Sequence, residues 1–465
     1  MVNDITITYF LPVQNKLWTD YFTLDPNGQT SYRLEYADVV RDNFNIDLQH
    51  VQIPDPRIFI TSKYSVKVIS RIFNIATGKG DSEMVPSSTF AGRNYVVQLP
   101  KANPGAAQII HILNTGVNDT IIKVTHYIDF QYYTSFGITS VKERKQLQTA
   151  IVAPSDTRQH SFLIEADSDI FVVGAVTCVD LLSTNAIAST KDSSCDYAMM
   201  HFYPSADYDC TRAFIGLGDQ RVITSQFTKS LYVSPPHFTN CQSLKVPIYV
   251  YDQRSPIISL TVQLQKGIAQ PLTLTAAGQE ATSSHYTNAP WTRFGGTRGI
   301  IPANKEQLFS AFVHYVPEAS QFINGDIRFI TYSSNSILEV YGDQTVAQFA
   351  AFYMDGVAVN PNAILKREQV IFFNSKYTAF TIQVPASGFH AFSVKSKGSY
   401  MAYVNGNNVN GLTGSYGYVA GYNRINIDSY YEPMGTVAPL LTTTKGAGRL
   451  GGSLLIVLFG FVYLM

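Results

Sequence analysis

The chain has 465 residues, equal numbers of basic and acidic side chains (34 each), and only 15% charged residues against 13% aromatic. A neutral chain without a basic stripe lacks the electrostatic footprint of a nucleic-acid binder. The abundance of Tyr, Phe, Val, Ile and Thr, all strand-favouring, points away from charge-rich helices and toward an all-β protein. The length accommodates about two or three domains.

In chain order, Met1 to Pro12 has an early Asp4 and no basic stretch followed by an apolar run, so it is not a secretory leader. Ile5 to Phe10 alternates as a strand instead, and the expectation is that the natural start lies upstream. Asp25-Pro26-Asn27-Gly28 is a turn without the ligand series of a calcium loop. Arg57 to Val68 reads apolar strand, polar turn, apolar strand. The same order returns in Phe162 to Val173, Ile327 to Leu338 and Ala391 to Ala402. Each copy is predicted to be a hairpin, and their recurrence predicts tandem β-sandwich-like modules built from repeated hairpins.

Asn118-Asp119-Thr120 is an N-glycosylation sequon. Ile121–Tyr127, Val246–Tyr251, Ile257–Leu264 and Ala379–Val384 alternate or run β-branched as strands. Asp343 to Tyr353 is the best helical stretch, and Lys142 to Ile151 a weaker one. The cluster Lys142, Arg144 and Lys145 encloses Glu143 and reads as a solvated loop or strand edge. Cys178, Cys195, Cys210 and Cys241 form an even, clustered set with no C-x-x-C pair. That suits disulfides in an oxidising compartment rather than a zinc site.

Predicted boundaries give a first β module over 1–242, a second over 243–430, a stalk over 431–448 and a hydrophobic attachment signal over 449–465. Leu454 to Met465 is uncharged. As a helix it would span roughly 18 Å, against a hydrocarbon core of about 30 Å. A terminal apolar run behind small residues has the form of a GPI signal, with Gly446, Ala447 and Gly448 as attachment candidates. Arg449 and the short spacer are imperfect for it, and a single-pass tail anchor or a buried terminal strand are the alternatives.

No catalytic, cofactor-binding or metal-binding residues are predicted. Gly414-Ser415-Tyr416-Gly417 falls one residue short of a nucleophile elbow, and no H-E-x-x-H exists. Asp167-Ser168-Asp169 reads as a turn rather than a calcium site, and Gly295 to Gly299 lacks the Lys-Ser/Thr of a phosphate cradle. Tyr416, Tyr418 and Tyr422, spaced by glycines, are candidate ligand contacts, packing around a glycine bulge being the alternative.

Three stretches resemble the family of IgGFc-binding protein N-terminal domains. The first runs from Ile60-Thr61-Ser62 to Val68 and on through Phe90-Ala91-Gly92-Arg93-Asn94-Tyr95. The second joins Val173-Gly174 and Cys178 to Ser194-Cys195-Asp196-Tyr197 and Phe202-Tyr203-Pro204, with Tyr197 where the family has His. The third links Gly388-Phe389-His390 to Tyr403-Val404-Asn405-Gly406 and Ser415-Tyr416-Gly417-Tyr418-Val419-Ala420-Gly421. The likeness spans roughly residues 55–425. It implies a β-rich extracellular module of adhesive, mucus or matrix type, without carrying over immunoglobulin binding. It also implies that Cys178 pairs with Cys195, which leaves Cys210 for Cys241. The expected partners are an extracellular glycoprotein or glycan and, through the tail, a membrane at the outer cell surface, with a secreted form as the alternative. The oligomeric state is left open, and a glycan-active or hydrolytic enzyme is the alternative function.

Overall fold

The computed structural model describes residues 2–41, 50–116, 118–153, 158–180, 195–211, 220–224, 226–252, 255–273, 280–284, 289–296, 298–301, 305–308, 310–349, 351–372, 375–407, 414–423, 453–457 and 461–464. The fold is all-β. Its α-helices among those residues are two short turns, Tyr36–Val39 and Gln344–Phe349. The second lies inside the predicted Asp343–Tyr353 helix, started by Asp343, whose Oδ1 accepts from Thr345 N (2.9 Å) and Val346 N (3.0 Å). The weaker helix at Lys142–Ile151 is corrected to a turn leading into the strand Gln148–Ala153. The Arg57 guanidinium takes the carbonyls of Val141, Lys142 and Glu143 (3.0, 3.1 and 2.6 Å), acceptors a helix would have needed.

In the N-terminal half, Asn3–Leu11 lies antiparallel between Lys16–Leu24 and Arg57–Ser62. This sheet covers one face of a larger one, ordered Gln131–Ser140, Thr120–Ile128, His160–Asp180, Gln108–Asn114, Gln148–Ala153 and His50–Ile53. The 21-residue strand His160–Asp180 organises that larger sheet. Its first part pairs with Thr120–Ile128 and Gly92–Gln98, and its last part with Cys195–Phe202. Between Glu165 and Ile170 the register shifts and the strand changes neighbours. Its side chains alternate between two cores, as a pleated strand requires. Phe171, Val173 and Ala175 meet Ile5, Ile7, Ile58 and Ile60, whereas Ile170, Val172 and Val176 meet Tyr95, Ile110 and Ile151.

In the C-terminal half, the five-stranded sheet Ile364–Phe372, Ser375–Gln383, Ile337–Gly342, Tyr400–Asn407, Ser415–Gly421 stacks on a sheet of Asp326–Thr331, Gly388–Val394 and Phe352–Met354. Val340, Phe380 and Val404 from the first interdigitate with Phe329, Phe352 and Phe392 from the second. Burial of side chains of this size contributes about 1.5–3 kcal/mol each relative to exposure.

None of the four predicted hairpins is one. Arg57–Ser62 and Val68–Phe73 belong to different sheets, as do Asp326–Thr331 and Ile337–Gly342, and Gly388–Val394 and Tyr400–Asn407. In all three the polar segment carries the chain from one sheet to another. The fourth, Phe162 to Val173, lies wholly within the long strand.

The predicted division at 242/243 is also corrected. Thr228–Val233 pairs with Gln270–Thr273 and Trp291–Gly295, so a cut there would split a sheet. Tyr232, Phe294 and Val313 share one core with Tyr95, Val97 and Phe202. The stalk 431–448 lies outside the described residues. Of the terminal apolar run, Ser453–Val457 pairs antiparallel with Arg57–Ser62, and Phe461–Leu464 lies between Thr30–Arg33 and Val68–Phe73. This is the terminal-strand arrangement, one of the three readings of that run. No helix among the described residues is long and apolar enough to cross a membrane.

Candidate binding cleft

A cleft of about 720 Å³ opens where the N-terminal sheet meets the C-terminal sandwich. Four segments build it: the turn after Lys16–Leu24, the crossing segment before Val68–Phe73, the start of Asp326–Thr331 and the end of Ser415–Gly421. The first is the predicted Asp25–Gly28 turn. Gly28 N donates to Asp25 O at 2.7 Å, and Asn27 has φ 61°, which Asn tolerates better than most residues. Arg328 fixes this turn to the C-terminal sandwich, donating to Asn27 O at 3.0 Å and Asn27 Oδ1 at 2.8 Å. Asn3 holds the crossing segment by a reciprocal pair: its Nδ2 donates to Tyr64 O (3.0 Å) and its Oδ1 accepts from Tyr64 N (2.9 Å).

Lys67 stands beside them. Its Nζ donates to the carbonyls of Arg328 and Ala420, and burial pushes its ammonium down to about 7. Tyr422 also lines the cleft, half-buried, within an aromatic cluster. Its ring centroid is 5.6 Å from Tyr203, 5.8 Å from Phe90 and 5.9 Å from Tyr315. The lining therefore joins polar groups on fixed backbone to the hydrocarbon of Val66, Met84 and Ile327, a mixture suited to a ligand with polar edges and an apolar face.

Of the three tyrosines expected at a ligand site, only Tyr422 reaches the cleft. Tyr416 and Tyr418 are 2% and 0% exposed, a correction to their role as ligand contacts. Tyr418 OH accepts from Ile330 N (2.9 Å) and donates to Ile330 O (2.6 Å). Tyr416 OH accepts from Tyr332 N (2.9 Å) and bonds Ser336 Oγ (2.6 Å). Together they satisfy the backbone where the chain leaves Asp326–Thr331 for the facing sheet. Their glycine neighbours make room: a Cβ on Gly406 would lie 2.3 Å from the Tyr416 ring, and one on Gly417 2.6 Å from Phe312.

Cys210 and Cys241 form a disulfide, Cα–Cα 6.1 Å, as expected. Cys178 is disulfide-bonded too. Cys195 begins the neighbouring strand, where Asp180 faces it, and its side chain lies outside the described residues. Asn118 is exposed in the turn before Thr120–Ile128. Asp167 Oδ1 accepts from Ile121 N at 3.1 Å within the sheet. Gly446, Ala447 and Gly448 lie outside the described residues.

A feature the sequence did not single out is an acidic junction. Asp81 and Asp196 are fully buried where the strands Gly80–Met84, Cys195–Phe202, Phe312–Val316 and Ser415–Gly421 converge. Asp196 accepts four backbone N–H groups: Tyr197 (2.9 Å), Gly80 (3.1 Å), Ala311 (3.2 Å) and Ser415 (3.4 Å). Asp81 accepts from Ser82 N (2.8 Å) and Met199 N (3.1 Å), and Glu83 from His201 N (2.6 Å) and His201 Nδ1 (2.8 Å). Burial raises Asp81 well above the carboxylate range and Asp196 to about 7, against the pull of these donors. In the sequence Gly80-Asp81-Ser82-Glu83 reads equally as a solvated acidic turn, and Asp196 appears only as part of the Cys195-Asp196-Tyr197 stretch.

No family model matches the chain. No curated protein matches it either.

Proposed function

We propose that the chain is an extracellular, non-catalytic binding protein of adhesive, mucus or matrix type, related to the N-terminal domains of IgGFc-binding protein, whose partner is a glycan or glycoprotein. The observation that carries this reading is the cleft, whose lining brings the aromatic Tyr422 together with the fixed polar groups of Asn27, Lys67 and Arg328. Tyr faces stack on the apolar faces of sugar rings while backbone and side-chain polar groups meet hydroxyls. The Cys210–Cys241 disulfide fits an oxidising compartment. Exposed Asn118 is the glycosylation site in this reading, and the terminal run is the membrane-attachment signal, cleaved near Gly446–Gly448. Cleavage would leave Arg57–Ser62 and Val68–Phe73 without the terminal strands as neighbours.

The test is a glycan array probed with the chain expressed behind a heterologous signal peptide in animal cells. Tyr422→Ala is expected to weaken the bound glycan about tenfold, the size of one lost aromatic contact. Undiminished binding by both Tyr422→Ala and Arg328→Ala would remove the cleft from the proposal, and turnover of a glycan or ester would replace binding with catalysis. Release from intact cells by a phosphatidylinositol-specific phospholipase tests the anchor. Secretion with residues 454–465 intact would instead favour the terminal strands.

A further inference from the structure

Edge strands expose unpaired N–H and C=O groups, and proteins guard them with charge, proline or short length. Most edges here are guarded. Lys16–Leu24 carries Lys16 and Asp20, and Ile364–Phe372 carries Lys366, Arg367 and Glu368. Gln270–Thr273 contains Pro271, and Ser255–Gln265 contains Pro256.

Gln131–Ser140 departs from this. It is ten residues long, QYYTSFGITS, with no charge and no proline. Among the described residues it ends its sheet and pairs on one side only, with Thr120–Ile128. A bulge displaces its first residues, since Tyr132 faces Tyr127 and Thr134 faces His126, but from Thr134 to Ser140 the register is regular. Over that stretch Phe136 and Ile138 turn toward the core, Phe136 partly buried beneath the exposed ring of His50 at 5.1 Å. Ser135, Gly137 and Thr139 are exposed on the outer face.

We infer that Ser135–Thr139 is the interface of a homodimer, two copies joined edge to edge by antiparallel pairing about Gly137. The pattern is self-complementary. A two-fold axis at Gly137 sets Gly137 opposite Gly137, where two backbones can approach closely, and Ser135 opposite Thr139, a favourable cross-strand pair. An edge without charge repels no copy of itself and offers no charge by which to select a foreign strand. The resulting sheet continues across both protomers, with main-chain hydrogen bonds supplying the affinity.

Sedimentation velocity of the full chain in mild detergent, over a concentration series, tests this. The wild type is expected to dimerise. Gly137→Lys sets two ammonium groups face to face across the axis and should raise the dissociation constant at least about tenfold. It should leave the protomer intact, because the nearest atom to a Cβ there is Ile122 O at 4.0 Å. An unchanged thermal melt of the protomer at low concentration verifies that. The double variant Ser135→Lys/Thr139→Glu places opposite charges on facing positions twice and should tighten the dimer, whereas Tyr21→Lys, on a different edge, should not change it. A wild type that stays monomeric, or a dimer indifferent to both Gly137→Lys and the double variant, overturns the proposal.

Discussion

The acidic junction and the ion pair Arg293–Glu339 both bury ionisable groups between sheets, by opposite means. Asp196 has no cationic partner among the described residues and is surrounded by backbone N–H groups from strand ends that converge on it. Glu339 faces Arg293 at 2.8 Å, and its remaining lone pairs take Asn405 Nδ2 (3.1 Å), Thr224 Oγ1 (3.2 Å) and Tyr341 OH (2.5 Å). Arg293 Nε in turn donates to Thr228 Oγ1 at 2.8 Å. Where strand edges meet end-on, fixed amide dipoles can receive a carboxylate. Where sheets meet through side chains, no amide row is available, and a full counter-charge does the work.

The sharpest break in this comparison is Glu339→Ala. It leaves the Arg293 guanidinium buried without its counter-charge and should cost about 3–5 kcal/mol, read from denaturant melts. A loss below about 1 kcal/mol would mean that the hydroxyls around Arg293, not the carboxylate, sustain it. Asp196→Asn is expected to cost less, about 1–3 kcal/mol. One oxygen survives to accept two of the four N–H groups, and the new NH₂ faces the others.

The same variant separates the junctions by pH. Asp196 has a folded pKa raised from 3.8 to about 7, so its stabilising contribution is complete below pH 3.8 and is lost as pH rises through about 7. Asp196→Asn should flatten the stability profile between those limits, and a wild-type profile that matches it over that window would show Asp196 ionised throughout. Burial works against the Arg293 guanidinium, yet Glu339 holds it further up, so Arg293 should contribute no slope there. The smallest effect belongs to Tyr416→Phe, which removes the hydroxyl that accepts from Tyr332 N while Ser336 keeps its bond to Ser333 O, and should cost about 1 kcal/mol in the same melts.

The strand content could be read locally because alternation is a local property. Ile121 to Tyr127 falls inside Thr120–Ile128, and Ala379 to Val384 overlaps Ser375–Gln383. Pairing could not be read this way. Apolar strand, polar segment, apolar strand describes a hairpin and a crossing between stacked sheets equally well, and only distant partners decide between them. For Ile327 to Leu338 those partners include Tyr416 and Tyr418, whose hydroxyls hold the crossing from more than 80 residues away. The glycines around these tyrosines suggested exposure, yet they are small because rings fill the space beside them. The cleft is likewise non-local: Arg328 and Asn27, the contact that closes it, are 301 residues apart. Its components visible beforehand were Tyr422, one of the candidate ligand contacts, and the Asp25–Gly28 turn, whose shape is set by its own residues.

The strand His160–Asp180 has a consequence for the order of folding. Its partners begin at Gly92, Gln108, Thr120 and Cys195, so it cannot be completed until chain on both sides of it has collapsed around it. Such non-local closure slows folding. It also couples the two neighbourhoods in the other direction. A strand threaded through both transmits the loss of its first half to its second, so this half of the molecule should open as one cooperative unit rather than sheet by sheet.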